Sequence, residues 1–252
     1  MIRFGRFRPL WGLLAAPLAL GLAACGDSDT SDSGLSGDPI ARVAPPEGQA
    51  WSEVIGKTPE GGYRMGNPDA PIKLVEFGAL SCSHCAHFAE ESGEELFNDF
   101  VDSGRVSFEL RYFMLNSLDV TATLLATCGS TEAAIPLSEQ FWAWQPTMFE
   151  NLQKADQAKL QAIDAMSPQQ RFVSFAEVSG MTAFFSSRGI AEDQAAACLS
   201  DSGKVQALVD ATEKASKDFE ITGTPTFLIN GRKADVNAWP QIKADLEKLG
   251  AR

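Results

Sequence analysis

Two cysteines separated by two residues, Cys82-Ser83-His84-Cys85, constrain this chain more than any other stretch. They follow the apolar run Ile72-Lys73-Leu74-Val75-Glu76-Phe77 and a short turn from Gly78 to Ser81. Beyond them Phe88, Leu96, Phe97, Phe100 and Val101 recur at helical spacing. The pattern predicts a strand buried on both faces, a turn, and a helix with Cys82 at its N-terminus and Cys85 one turn further in. Backbone N–H groups and the helix dipole stabilise a thiolate at that position, and a cationic His84 would add to the effect. A two-residue gap on a helical turn also lets the two sulfurs approach closely enough to bond. After the stop signal Gly104, residues Val106, Phe108, Leu110 and Tyr112 alternate with polar ones, which predicts a second strand and a strand–helix–strand unit.

The N-terminal residues bear on where such chemistry takes place. Residues 1–24 carry Arg3, Arg6 and Arg8 and then an apolar stretch from Leu10, too short to span a bilayer comfortably, which reads as a secretory signal. The stretch ends Leu22-Ala23-Ala24-Cys25-Gly26, which resembles the lipobox of bacterial lipoproteins, whose cysteine is lipidated and becomes the first residue. Cys25 is therefore expected to carry a lipid anchor, with an ordinary signal cut near Ala24 as the alternative. Residues 25–50 are rich in Asp, Ser, Gly and Pro and are expected to form a disordered tether, leaving 51–252 as the folded domain. Loss of residues 1–24, with three arginines and no acid, would take the formal charge from −12 to −15, which disfavours nucleic acid as a partner.

With Cys25 set aside, four of the five cysteines remain: the Cys82/Cys85 pair, Cys128 and Cys198. An even remainder in an exported protein suits one redox pair plus one structural disulfide.

No strand pattern appears from Ser117 to Asp218; helices are expected over 120–128, 132–148, 169–187, 193–199 and 203–219. The cluster Phe141, Trp142, Trp144 and Phe149 reads as helical core rather than a binding surface. A strand is expected over 225–229, followed by the hairpin turn Asn230-Gly231, a short strand, and a last helix over 238–249 capped by Asn237.

Strand, cysteine pair on a helix, strand, helical stretch, Thr224-Pro225, hairpin, helix: this order resembles the thioredoxin fold interrupted by a helical insertion, as in the DsbA-like thiol–disulfide oxidoreductases. Four features carry the resemblance: the cysteine pair, Glu76 six residues before Cys82, Gly223-Thr224-Pro225-Thr226 before the last hairpin, and the insertion. It implies an α/β, thioredoxin-like fold with an all-α subdomain inserted at about 117–200. It implies a Cys82–Cys85 redox couple activated by His84. Glu76 would lie beneath the pair and assist proton transfer at the inner cysteine, although by position alone a strand glutamate reads equally well as an exposed partner. Thr224-Pro225 would be a cis bond beside the cysteines, presenting the preceding backbone to substrate. Cys128 and Cys198 would form a second disulfide, the alternative being two buried free thiols.

The resemblance further implies an enzyme with no cofactor beyond its redox-active disulfide. The expected chain is a monomer on the periplasmic side of a membrane, held there by its lipid. Its partners would be reduced or unfolded exported proteins and a membrane or soluble redox protein that resets the pair. An oxidase is expected, but Ser83 stands where such oxidases commonly have proline, and Thr before the proline also occurs in isomerases, so isomerase or reductase remains an alternative. A metal-binding or assembly module is the rival chemistry, since Cys82, His84, Cys85 and His87 lie close in sequence and Cys128 with Cys198 would complete a four-cysteine zinc site.

Overall fold

The structure, a computed structural model, describes residues 37–252, which belong to one compact unit. The expected signal stretch, Cys25 and the first part of the expected tether lie outside the described residues. In chain order the elements are β1 (Ile55–Lys57), β2 (Tyr63–Met65), β3 (Ile72–Gly78), α1 (Ser83–Glu95) and β4 (Val106–Tyr112). Then come α2 (Ser117–Ala126), α3 (Ala134–Lys154), α4 (Gln157–Asp164), α5 (Pro168–Ser179), α6 (Met181–Ser186), α7 (Glu192–Leu199) and α8 (Ser202–Phe219). The chain ends with β5 (Thr226–Ile229), β6 (Arg232–Lys233) and α9 (Trp239–Lys248). The expected α/β, thioredoxin-like architecture is the one observed.

The strands form one sheet in the order β1-β2-β4-β3-β5-β6, with β3 and β4 parallel and every other neighbour antiparallel. β3 is apolar almost throughout because both faces are covered. Its alternation sends Val75 and Phe77 to one side, where they pack with Phe113, Ile221, Leu228 and Ala215 of α8. Leu74, Glu76 and Gly78 take the other side. There Phe88 of α1 meets Phe227 of β5 at 4.4 Å and Trp239 of α9 at 6.1 Å between ring centroids. The sheet register sets Glu76 opposite Leu110 and Phe227, and Gly78 opposite Tyr112.

The helical layer has its own aromatic centre. Phe141 of α3 lies 5.5 Å from both Phe184 and Phe185 of α6, and Trp144 stacks on Phe184 at 4.6 Å. Cys128, just beyond α2, and Cys198 in α7 are joined by a disulfide. α8 packs on the sheet instead, through Phe219 against Phe77 at 5.7 Å.

Several boundaries differ from expectation, each for a local reason. The helix expected over 169–187 is two helices, because Gly180 takes φ 81° and breaks the turn. An unexpected α4 starts where the side chain of Asp156 accepts the N–H of Ala158. The last helix is capped by Ala238 without a side-chain hydrogen bond, so Asn237 does not act as its cap.

The largest correction concerns the tether, because residues 37–50 are docked on the domain. Gly37 donates its N–H to Lys248 at 2.8 Å, Ile40 to Gly250 at 2.9 Å and Val43 to Ser103 at 2.9 Å. The Trp51 indole N–H closes on the Val43 carbonyl at 2.8 Å. On the side of residues 37–50 these hydrogen bonds are made by backbone groups, so a polar composition gave no sign of them.

Candidate active site

The N-cap of α1 is Cys82 itself, with extended backbone angles (φ −79°, ψ 116°) and a sulfur that accepts the N–H of Cys85 at 3.2 Å. A sulfur thus takes the place of the oxygen that usually caps a helix, where orphan N–H groups and the helix dipole both favour negative charge. Cys82 is 8% exposed and Cys85 is fully enclosed. The Cys82 thiol faces the carbonyl oxygen of Thr224 at 3.3 Å, and Thr224-Pro225 is a cis peptide bond. The structure therefore brings Cys82, Cys85, Thr224 and Pro225 together from two ends of the chain.

The two thiols are driven apart in acidity. Cys82 is lowered to about 6, first by the hydrogen bond from the Cys85 thiol, then by Thr224 and the backbone N–H groups of Cys85 and His84, against an opposing effect of burial. Cys85 is pushed far up, first by burial, then by its bond to Cys82 and the charge of Glu76. His84 thus acts through its backbone N–H, and its side chain is exposed. The largest lowering comes from the partner thiol, and the backbone N–H groups at the helix end add to it as expected.

Glu76 is 1% exposed, and its Oε1 has no hydrogen-bond partner among the described residues. Burial, then the charges of Glu139 and Cys82, raise it well above the ordinary carboxylate value. It belongs to the site and not to the exposed edge that its strand position left open. Gly78 makes room for it: a Cβ there would stand 3.0 Å from Glu76 Oε1 and 3.3 Å from Trp142 Cζ2.

The turn between β3 and α1 is held by the helical layer. Trp142 donates its indole N–H to the Ala79 carbonyl at 3.0 Å, and Gln145 donates its amide to those of Leu80 at 2.8 Å and Cys82 at 3.1 Å. Asp119, fully buried, accepts the Ser81 N–H at 2.7 Å while its other oxygen accepts those of Leu115 and Asn116 at 3.1 Å. Sequence reasoning missed Asp119, Gln145 and Glu139. The pair Asn116/Asp119 does form a capping box on α2, a signal readable in the sequence, but nothing there shows that the same carboxylate reaches Ser81. Trp142 is core, as expected, and also a hydrogen-bond donor to the site.

A groove of about 570 Å³ runs between α1 and α3 beside the cysteines, lined by residues that include Ser83, His87, Glu90, Glu139, Trp142 and Gln145. Among the described residues no three His, Cys, Asp or Glu side chains are grouped to hold a metal ion. Cys128 and Cys198 are bonded to each other and supply no ligands to Cys82 and Cys85, so the four-cysteine zinc arrangement does not form. Among the same residues no helix is long and apolar enough to cross a membrane.

This geometry agrees with what the chain is similar to. The profile of the thioredoxin family matches residues 58–248. A protein of Rickettsia bellii named as a protein-disulfide oxidoreductase is 24% identical over 196 residues, which span 78% of this chain and 67% of that protein. A protein-disulfide isomerase from Novosphingobium aromaticivorans superposes with a TM-score of 0.68 at 29% identity, covering 73% of this chain and 96% of the other. The α-DsbA1 of Wolbachia pipientis shares the fold, with a TM-score of 0.60 at 17% identity over 75% of this chain and 90% of its own. The chain belongs to the thioredoxin family, as a protein thiol:disulfide oxidoreductase with the fold seen in DsbA.

Proposed function

We propose that this chain is an oxidase that introduces disulfides into exported proteins through a Cys82–Cys85 couple, working from a lipid anchor at Cys25 on the periplasmic side of a membrane. The observation that carries the reading is the geometry of the pair: the Cys82 sulfur caps α1, accepts the Cys85 N–H at 3.2 Å and lies beside the cis Thr224-Pro225 bond, while Cys85 is enclosed beneath it. A stabilised Cys82 thiolate favours the reduced state, so the disulfide form is an oxidant and Cys82 a good leaving group. A substrate thiolate attacks the Cys82 sulfur, the S–S bond breaks, and Cys85 leaves with the electron pair and takes up a proton. A second substrate thiolate then displaces Cys82 from the mixed disulfide. The substrate is oxidised by two electrons and the enzyme is left as a thiolate and a thiol, to be reoxidised by a membrane or soluble redox protein. The Thr224 carbonyl beside the cis bond is the backbone that a substrate strand would meet. The reading needs no cofactor.

The test is the reduction potential of the domain against glutathione. A value near the roughly −120 mV of strongly oxidising DsbA supports the oxidase; a value near the roughly −270 mV of thioredoxin defeats it. The name of the Novosphingobium relative favours a second reading, disulfide isomerase. Oxidation of a reduced substrate without reshuffling of a scrambled one separates the two. Metabolic labelling with a palmitate analogue, lost in Cys25→Ser, tests the anchor.

A further inference from the structure

The cycle proposed above moves a proton at Cys85 each time the disulfide opens or closes, yet Cys85 is fully enclosed. Glu76, the carboxyl whose charge acts on it, is nearly as deeply buried. A proton handed from one to the other still needs a way out. The α1–α3 groove opens beside the cysteines, and Glu139 stands in its wall, half-buried. Glu139 and Trp142 are three residues apart on α3 and so share a face. Trp142 borders the pocket that Gly78 leaves for the Glu76 carboxyl, while Glu139 Oε2 approaches α1 at Gly93, 3.6 Å from where a Cβ would be. The charge of Glu139 acts on Glu76 of β3 and on Tyr112 of β4, and His87 and Glu90 of α1 line the same groove.

We propose that Glu139 is the outer station of a proton path to Cys85: it exchanges protons with solvent in the α1–α3 groove and passes them to and from Glu76. The proposal rests on the Cys82–Cys85 couple and adds a positioning residue that belongs to the inserted helical layer. When the enzyme disulfide is reduced, the Cys85 sulfur leaves with the bonding electrons and takes the Glu76 proton, and Glu76 is reloaded through Glu139. On reoxidation the proton runs the other way: Cys85 becomes a thiolate and attacks the Cys82 sulfur of the mixed disulfide, the bond to the partner sulfur breaks, and the partner leaves as a thiolate. The charge of Glu139 disfavours ionisation of Glu76, so the two carboxyls are more stable with a proton on one of them than with both ionised. Burial pushes Glu139 up to about 8, in keeping with a group that loads and unloads near neutral pH.

The experiment is stopped-flow reoxidation of the reduced protein by oxidised glutathione, from pH 5 to 9, in the wild type, Glu139→Gln and Glu139→Asp. Cys82 attack is read by thiolate absorbance, and the lifetime of the glutathione mixed disulfide by acid quench and mass spectrometry. General acid–base groups are worth roughly 10²–10⁴-fold, so loss of a relay behind Glu76 should lengthen that lifetime about 10-fold in Glu139→Gln and flatten its pH dependence. The Cys82 attack should keep its pH profile, and Glu139→Asp should recover most of the resolution rate. Wild-type lifetime and profile in Glu139→Gln would overturn the proposal, as would equal slowing in Gln and Asp variants with an unchanged profile. The wild type gives an arm that needs no variant: its resolution rate must rise through a second inflection above the Cys82 titration, and a rate that follows Cys82 alone overturns the path. A wild type that forms no mixed disulfide at all removes the couple itself, a failure distinct from that of Glu139.

Discussion

The side-chain amide of Gln145 donates to the carbonyl oxygen of Cys82 at 3.1 Å, so a residue of the inserted helical layer grips the backbone of the proposed nucleophile. The same amide holds the Leu80 carbonyl at 2.8 Å. In Gln145→Leu the Cys82 carbonyl keeps the N–H of Ala86, but the Leu80 carbonyl, in a buried turn, loses the side-chain donor that reaches it. An unsatisfied buried acceptor costs about 1–3 kcal/mol, so the variant should be destabilised by that amount in urea titration. Its thiol exchange should slow as well, because the turn that places Cys82 against Thr224 is loosened.

Cys82 should be alkylated by iodoacetamide with a rate that reaches half its maximum near pH 6, and not near the ordinary thiol value of 9. Linkage gives this a stability counterpart. A thiol whose acidity is raised by folding stabilises the reduced protein fully above pH 9, and that contribution is lost as the pH falls through about 6. The melting temperature of the reduced form relative to the oxidised form should therefore climb between pH 6 and pH 9. Cys82→Ser should abolish both the climb and turnover. Cys85→Ser should still attack substrate and accumulate the mixed disulfide.

How much of this was legible in the sequence follows from how local each feature is. The cysteine pair, β3, β4 and the Asn230-Gly231 turn are written in consecutive residues, and each lies where its pattern placed it. Glu76 was ambiguous because a strand glutamate is buried or exposed depending on what packs over it; here it is 1% exposed, with Trp142 of α3 beside the same pocket. Asp119, Trp142 and Gln145 reach the active-site turn across separations of 38 to 65 residues, and no short-range pattern encodes such a reach. Residues 37–50 escaped for the opposite reason, since they dock through backbone groups that every sequence possesses.

Glu76 sets a second pH dependence with the reverse sign. Its carboxyl is raised above the ordinary value of 4.5, so it stabilises the fold least when ionised; its contribution is intact below 4.5 and declines as the pH rises toward its folded value. Glu76→Leu removes this dependence along with a buried oxygen that lacks a partner. The variant should be as stable as the wild type at pH 4 and more stable at pH 8, a gap readable by thermal melts at the two values. It should also resolve mixed disulfides slowly, because Cys85 would lose its neighbouring proton carrier.

Cys128 and Cys198 are 70 residues apart in sequence and tie the end of α2 to α7. Closing a loop of that size removes enough freedom from the unfolded chain to be worth about 4 kcal/mol in the chain-entropy account. Neither sulfur contributes to the turn at Cys82, whose hydrogen bonds come from Asp119, Trp142 and Gln145. The double variant Cys128→Ala/Cys198→Ala should accordingly lose about 2–5 kcal/mol in denaturant titration. Its alkylation profile at Cys82 should still be centred near pH 6. A comparable loss of turnover at temperatures where the variant is fully folded would place this second disulfide in the chemistry and not in the scaffold.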